Sequence, residues 1–222
     1  MMQNDQYLYL KQYKDIYGDS ILLKKKGFDS NDLNSFYNEI KNCTRCQLSK
    51  SRTNLGFGDG NPNANIVFVG EAPGKNEDLE GKPFVGRAGK LLDKMLEAIK
   101  LNRKSVYISN VVNFRPPMNR KPTEKEIERY LPFLLRHIEL INPKILLLLG
   151  STALNALIGN EVVISKARGK WVRKKIGNVN LEVIASFHPA FLMRQLDQKK
   201  YAWEDLKMIR KKISELKIKL NG

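Results

Sequence analysis

The sequence predicts an α/β fold in which a short parallel sheet lies between helical layers, and three observations carry that reading. Short apolar runs at residues 66–69, 106–109, 144–149 and 182–186 alternate with longer segments whose apolar residues recur at helical spacing. The run at 144–149 is aliphatic from Ile145 to Leu149, as a parallel strand covered on both faces should be. The run at 66–69 ends in Gly70-Glu71-Ala72-Pro73-Gly74, a turn that presents a carboxylate where open α/β sheets present chemistry, at the carboxyl edge.

Taken in order, residues 1–30 read as an N-terminal extension and residues 31–222 as one domain. The extension has a short helix carrying Tyr7, Leu8, Leu10, Tyr13 and Tyr17, then a flexible link at Lys24-Lys25-Lys26. A helix over 32–42 follows, with Leu33, Phe36, Tyr37 and Ile40 on one stripe. Gly56-Phe57-Gly58-Asp59-Gly60 precedes a strand instead of following one, so it reads as a loop and not as a dinucleotide fingerprint. The helix at 88–100 turns Leu91, Leu92, Met95, Leu96 and Ile99 inward. Thr123 and Glu126 form a capping box that opens a helix to about Ile141, with Pro132 expected to bend it. Ser151 is expected to cap a short helix over 153–158, and a basic helix over 201–220 ends the fold with Leu206, Ile209, Ile213 and Leu216 inward.

At 222 residues the chain can bury a substantial core without stapling, and two cysteines argue against a disulfide scaffold. There is no apolar run of membrane-spanning length and no signal-peptide pattern, so a cytoplasmic protein is expected, nucleoid-associated in a prokaryote. The charge is more telling: 39 Lys and Arg against 23 Asp and Glu give a net +16, which directs the molecule to polyanions, nucleic acid first. No helix joins a basic face to a wholly apolar one, which argues against a membrane-surface protein.

Several motifs fail on their spacing. Gly74-Lys75 and Gly89-Lys90 lack the upstream glycine and the following Ser or Thr of a phosphate-binding loop. With only two histidines a histidine-based metal site is improbable, and His137, on an amphipathic helix, is assigned to the surface or its boundary. His188 differs, because it follows a strand end and is locked by Pro189; an imidazole there can donate to a developing anion. Glu71 can orient water, stabilise a cation or accept hydrogen bonds from its own turn. Asn110 ends the second strand as Glu71 follows the first; its amide suits the edge of a nucleobase, and equally a turn. Phe84, in the loop 81–89, either stacks on a flat ligand or plugs the core.

Together these segments resemble a known family. Gly70-Glu71-Ala72-Pro73-Gly74, Gly81-Lys82-Pro83-Phe84-Val85-Gly86-Arg87-Ala88-Gly89, Tyr107-Ile108-Ser109-Asn110, Arg115-Pro116-Pro117-Met118-Asn119-Arg120 and His188-Pro189-Ala190 are similar, in the same order, to the family-four uracil-DNA glycosylases. The resemblance runs from about Cys43 to Arg194. It implies a three-layer α/β/α sandwich around a four-stranded parallel sheet, and an enzyme that removes uracil from DNA as the first step of base excision repair. It further implies that Gly70, Ala72 and Asn110 hold uracil while Phe84 stacks on it. His188 then stabilises the departing base and Glu71 places water. The segment 189–194 enters the minor groove, with Phe191 or Leu192 as the wedge. Arg87, Lys90, Arg168 and Arg194 are the candidate DNA contacts, and uracil-containing single- and double-stranded DNA is the partner of a monomeric enzyme.

The sequence departs from related patterns at two places. Other branches of the superfamily carry an aspartate general base where this chain has Ala72, so a dissociative mechanism is expected. The family's [4Fe–4S] cluster takes four cysteines; here Cys43 and Cys46 match the first pair, while Phe114 and Tyr130 stand at the other two positions. No metal or cofactor is therefore expected, with Phe114 and Tyr130 packing hydrophobically instead. Two other classes remain open on sequence: a uracil- or damage-binding module without turnover, and a hydrolase of small nucleotides.

Overall fold

The computed structural model describes residues 31–41, 48, 52–159 and 162–220. The extension expected over residues 1–30, and Cys43 and Cys46, lie outside the described residues. Six strands form one mixed sheet: β1 (Asp59–Gly60), β2 (Ile66–Gly70), β3 (Tyr107–Asn110), β4 (Ile145–Leu149), β5 (Trp171–Ile176) and β6 (Val179–Ser186), in the order β1-β3-β2-β4-β6-β5. The inner strands β3, β2, β4 and β6 run parallel and are the four-stranded sheet expected from the sequence. The outer strands β1 and β5 are additional and antiparallel.

Among the described residues the α-helices are α1 (Leu33–Lys41), α2 (Lys75–Glu80), α3 (Arg87–Ala98), α4 (Glu124–Ile141), α5 (Ser151–Leu157), α6 (Ile164–Ala167), α7 (Pro189–Arg194) and α8 (Lys199–Glu215). Because side chains alternate across a strand, each inner strand feeds two cores. Val67, Val69, Leu146, Leu148, Val183 and Ala185 pack under α1, α4 and α5. Ile66, Phe68, Ile145, Leu147, Leu149 and Ile184 pack under α3, α7 and α8. Each fully buried aliphatic side chain stabilises the fold by roughly 1.5–3 kcal/mol, so covering both faces is what makes the unbroken apolar run of β4 a strand.

Local rules account for most boundaries. The Thr123 hydroxyl accepts from the Glu126 amide at 3.3 Å and the Glu126 carboxylate from the Thr123 amide at 2.8 Å, which is the expected capping box. Two arginine hydrogen bonds of 2.7 Å from Arg120 hold the Glu126 carboxyl below its ordinary range. The N-cap of α5 is Gly150, in a left-handed conformation with φ of +91°, and not Ser151 as expected. The β5–β6 hairpin, absent from the sequence reading, closes through Gly177-Asn178, with Gly177 at φ of +54°. A Gly-Asn pair between two runs is a hairpin signal. Arg173, Lys174 and Lys175 obscured the strand, because an edge strand carries charge to deter further pairing.

His137 also departs from expectation, being buried at 2 % exposure. It stacks on Phe57 with ring centroids 4.3 Å apart, and its Nε2 lies 2.9 Å from the Tyr107 hydroxyl. An imidazole whose polar atom finds a buried partner behaves as a core aromatic, which helical spacing alone does not reveal. Burial pushes it down to about 3. The unfolded chain binds that proton near pH 6.5, so stability is complete above this value and declines as pH falls toward about 3. The expected slope from this residue is up to about 1.4 kcal/mol per pH unit. Denaturant unfolding across this interval should show it, and His137→Gln, which keeps a partner for Tyr107, should flatten the slope.

Candidate active site

The site forms where the carboxyl ends of the parallel strands release their loops, and Gly70 is its meeting point. Gly70 ends β2 in register with Asn110, which ends β3. A Cβ on Gly70 would lie 2.4 Å from Asn110 Oδ1 and 2.6 Å from Phe84 Cε2 and Cζ. Only glycine lets the three come together. Beyond it, the Gly70 and Glu71 carbonyls accept from the Val111 and Val112 amides at 3.0 and 3.1 Å, fixing the turn to the continuation of β3.

A second loop is tied to the first by one carboxylate. Glu77, at the third position of α2, accepts from the Gly74 amide at 3.1 Å with Oε2 and from the Gly86 amide at 2.8 Å with Oε1. The loop between carries Phe84, 5 % exposed and left-handed with φ of +56°. That conformation costs a side-chain-bearing residue about 1–2 kcal/mol, and it turns the ring onto His188, with centroids 5.4 Å apart and planes 30° apart.

His188 follows β6 and is the N-cap of α7, with Pro189 as the first helical residue. Its Nδ1 accepts from the Ala190 amide at 3.1 Å. Burial, and then the charge of Arg194, push the imidazole down to about 4, with Glu77 pulling the other way. At neutral pH the ring is therefore uncharged, and because Nδ1 is an acceptor the proton sits on Nε2. Gly150 makes room behind it: a Cβ there would lie 3.0 Å from His188 Cβ. The adjoining turn of α5 supplies Thr152, whose hydroxyl donates to Glu71 Oε2. Glu71 is thus oriented from a neighbouring strand end. Asn110 is 2 % exposed, and its amide finds no hydrogen-bond partner among the described residues. An aromatic face and an unpaired amide so meet at one strand-end glycine, and the aromatic ring joins them to a neutral N–H donor.

The rim is mixed. Arg87 and Lys90 are exposed in the first turn of α3, which packs against α7. Phe191 is half-buried with its ring 5.0 Å from that of Phe187, and Arg194 is exposed at the end of α7. Two of the residues expected to contact DNA are engaged within the protein. Leu192 is 1 % exposed within the core under α3 and α8, because the segment 189–194 forms a helix and turns this residue inward. Arg168 donates to both carboxylate oxygens of Asp205 and to the Tyr201 carbonyl, so it joins α6 to α8. Ala72 is half-buried and packs on the opposite core.

Among the described residues no group of three or more His, Cys, Asp or Glu side chains is placed to hold a metal ion. Phe114 and Tyr130, 0 % and 2 % exposed, pack edge to face with centroids 5.4 Å apart. The Arg52 guanidinium sits 3.9 Å over the Phe114 ring. No helix among the described residues is long and apolar enough to cross a membrane.

Sequence reasoning missed Thr152, Glu77 and Gly150. Glu77 stands three residues after Gly74 and supplies the carboxylate half of a capping box, and Gly150-Ser151-Thr152 follows β4 as Glu71-Ala72 follows β2. Both signals were present in the sequence; their convergence on Glu71 and Phe84 was not.

The Uracil DNA glycosylase superfamily profile matches residues 57–207. A type-4 uracil-DNA glycosylase of Thermotoga maritima is 47% identical over 159 residues, covering 70% of this chain and 80% of the relative. Those of Archaeoglobus fulgidus and Saccharolobus solfataricus are 41% and 39% identical, covering 80% and 86% of this chain and 91% of each relative. With its strand-end loops in the order and register described above, this chain belongs to the uracil-DNA glycosylase superfamily and, within it, to the type-4 uracil-DNA glycosylases.

Proposed function

We propose that this chain is a monofunctional uracil-DNA glycosylase that hydrolyses the C1′–N1 bond of uracil in DNA and so initiates base excision repair. The observation that carries the reading is the Asn110 amide, without a hydrogen-bond partner among the described residues, beside Gly70 and Phe84, whose ring in turn stacks on a neutral imidazole with its free nitrogen protonated. A carbonyl and an N–H on adjacent atoms are what a pyrimidine edge offers to an amide.

The base leaves the duplex and stacks on Phe84, its edge paired with Asn110 and the backbone of residues 70–72. Phe84 and His188 are 5.4 Å apart, less than the roughly 7 Å that two stacking contacts require, so the imidazole meets the base by its edge. As the C1′–N1 bond breaks, its electron pair goes to the base and the sugar becomes cationic. The His188 Nε2–H donates to the developing uracil anion, and a donor that needs no reorganisation is worth most in a buried site. Water held by Glu71 adds to C1′ and loses its proton, while the uracil anion gains one. Phe191 fills the space left in the stack. Arg87, Lys90 and Arg194 contact phosphates, as the net +16 favours.

The family's [4Fe–4S] cluster does not fit this chain, and no step is assigned to it. Four thiolates hold such a cluster; the sequence has two cysteines, and Phe114 and Tyr130 form a buried aromatic contact at the other positions.

Purified protein should release free uracil from single-stranded and U·G duplex oligonucleotides, and release from neither would overturn the reading. His188→Ala should slow release by roughly 100- to 1,000-fold. Since burial pushes the His188 imidazole down to about 4, the single-turnover rate should carry no inflection from it between about pH 5.5 and 8. Iron and acid-labile sulfide assays on anaerobically purified protein should find neither; a full cluster complement would refute the aromatic replacement.

A further inference from the structure

The left-handed backbone at Phe84 is unusual for a residue that bears a ring, and distant groups converge on its carbonyl. Gly89, in the first turn of α3, is one of them: a Cβ there would lie 1.7 Å from the Phe84 oxygen. Arg103, in the loop before β3, is the other. Its Nη2 donates to the Phe84 carbonyl, and its Nη1 donates to the Pro83 carbonyl at 3.2 Å. The guanidinium is itself anchored: Nη1 lies 2.8 Å from Asp59 Oδ2 on β1, and Nε lies 2.8 Å from Asp93 Oδ1 on α3. One planar fork therefore spans two successive carbonyls and two carboxylates, which a lysine ammonium at one point cannot match.

The geometry points to Arg103 as a positioning residue of the site, one that holds the 83–84 backbone so that the Phe84 ring faces both His188 and the bound base. The inference rests on the stacking role proposed for Phe84. Among the described residues, the hydrogen-bond partners of Arg103 are the two loop carbonyls and the two aspartates, so it acts on the base through that ring. Without it, the Phe84 carbonyl is packed against Gly89 with no donor, and the backbone relaxes toward negative φ, carrying the ring off His188.

A double-mutant cycle with an NMR readout tests this. Arg103→Lys keeps the charge between Asp59 and Asp93 and guards against loss of folding in Arg103→Ala. The chain has only two histidines, so His137→Gln assigns the His188 imidazole resonances. These should feel the Phe84 ring current in the wild-type chain, lose it in Phe84→Ala, and move toward the Phe84→Ala values in either Arg103 variant. Excision of uracil from single-stranded DNA should fall roughly 10- to 100-fold in the Arg103 variants, and the Arg103–Phe84 double variant should be no slower than Phe84→Ala alone. His188 resonances unchanged by the Arg103 substitutions, or an Arg103 penalty as large without Phe84 as with it, would overturn the inference. The resonances report on Arg103 whether or not uracil is released, so failure of the glycosylase reading remains a separate result.

Discussion

One missing methyl group governs the site. Gly70 closes β2 with its Cα against the Asn110 amide and the Phe84 ring, and any side chain there would overlap both. Parallel pairing sets Gly70 beside Asn110, and the Glu77 carboxylate draws the 81–86 loop back to the Gly74 turn. Contacts that are remote in sequence thus become fixed by backbone hydrogen bonds, which hold geometry better than side-chain packing does. Catalysis by preorganised groups needs that rigidity, since errors of about 1 Å cost up to 100-fold in rate.

The chemistry of His188 follows from its place at a helix start. As the N-cap of α7 it gives Nδ1 to a backbone amide, which leaves the proton on the other nitrogen. Burial and the nearby Arg194 keep the ring uncharged. A neutral donor costs less to bury than a cation, and in the proposed reaction Arg194 adds positive potential where negative charge develops. Fold, tautomer and electrostatics are therefore one arrangement, produced by a strand whose end is followed closely by His-Pro at the start of a helix.

The aromatic pair Phe114 and Tyr130 bears on how the fold tolerates change. It lies in the core beneath α1 and α4, on the sheet face opposite α3 and α8. Edge-to-face rings bury large apolar area with a defined geometry, and in the reading proposed above this packing stands where the family pattern has two cysteines. In the same core, His137 stacks on Phe57 and meets Tyr107 edge to face, a second set of ring contacts reaching the sheet.

The sequence by itself determined the layered fold, the order of the parallel strands' apolar runs, the Thr123–Glu126 cap and the loops that carry Glu71, Phe84, Asn110 and His188. All of these are written in periodicity, capping and turn chemistry that act over a few residues. Only the tertiary structure decided that His137 is core, that Leu192 turns inward while Phe191 stays at the rim, and that Arg168 belongs to Asp205. It also decided that Thr152 orients Glu71 across 81 residues of chain and that Arg103 reaches Phe84 across 19. The physical reason is common to every case: a side chain's burial and a charge's partner depend on what packs against them from elsewhere in the chain, and no local pattern specifies that neighbour.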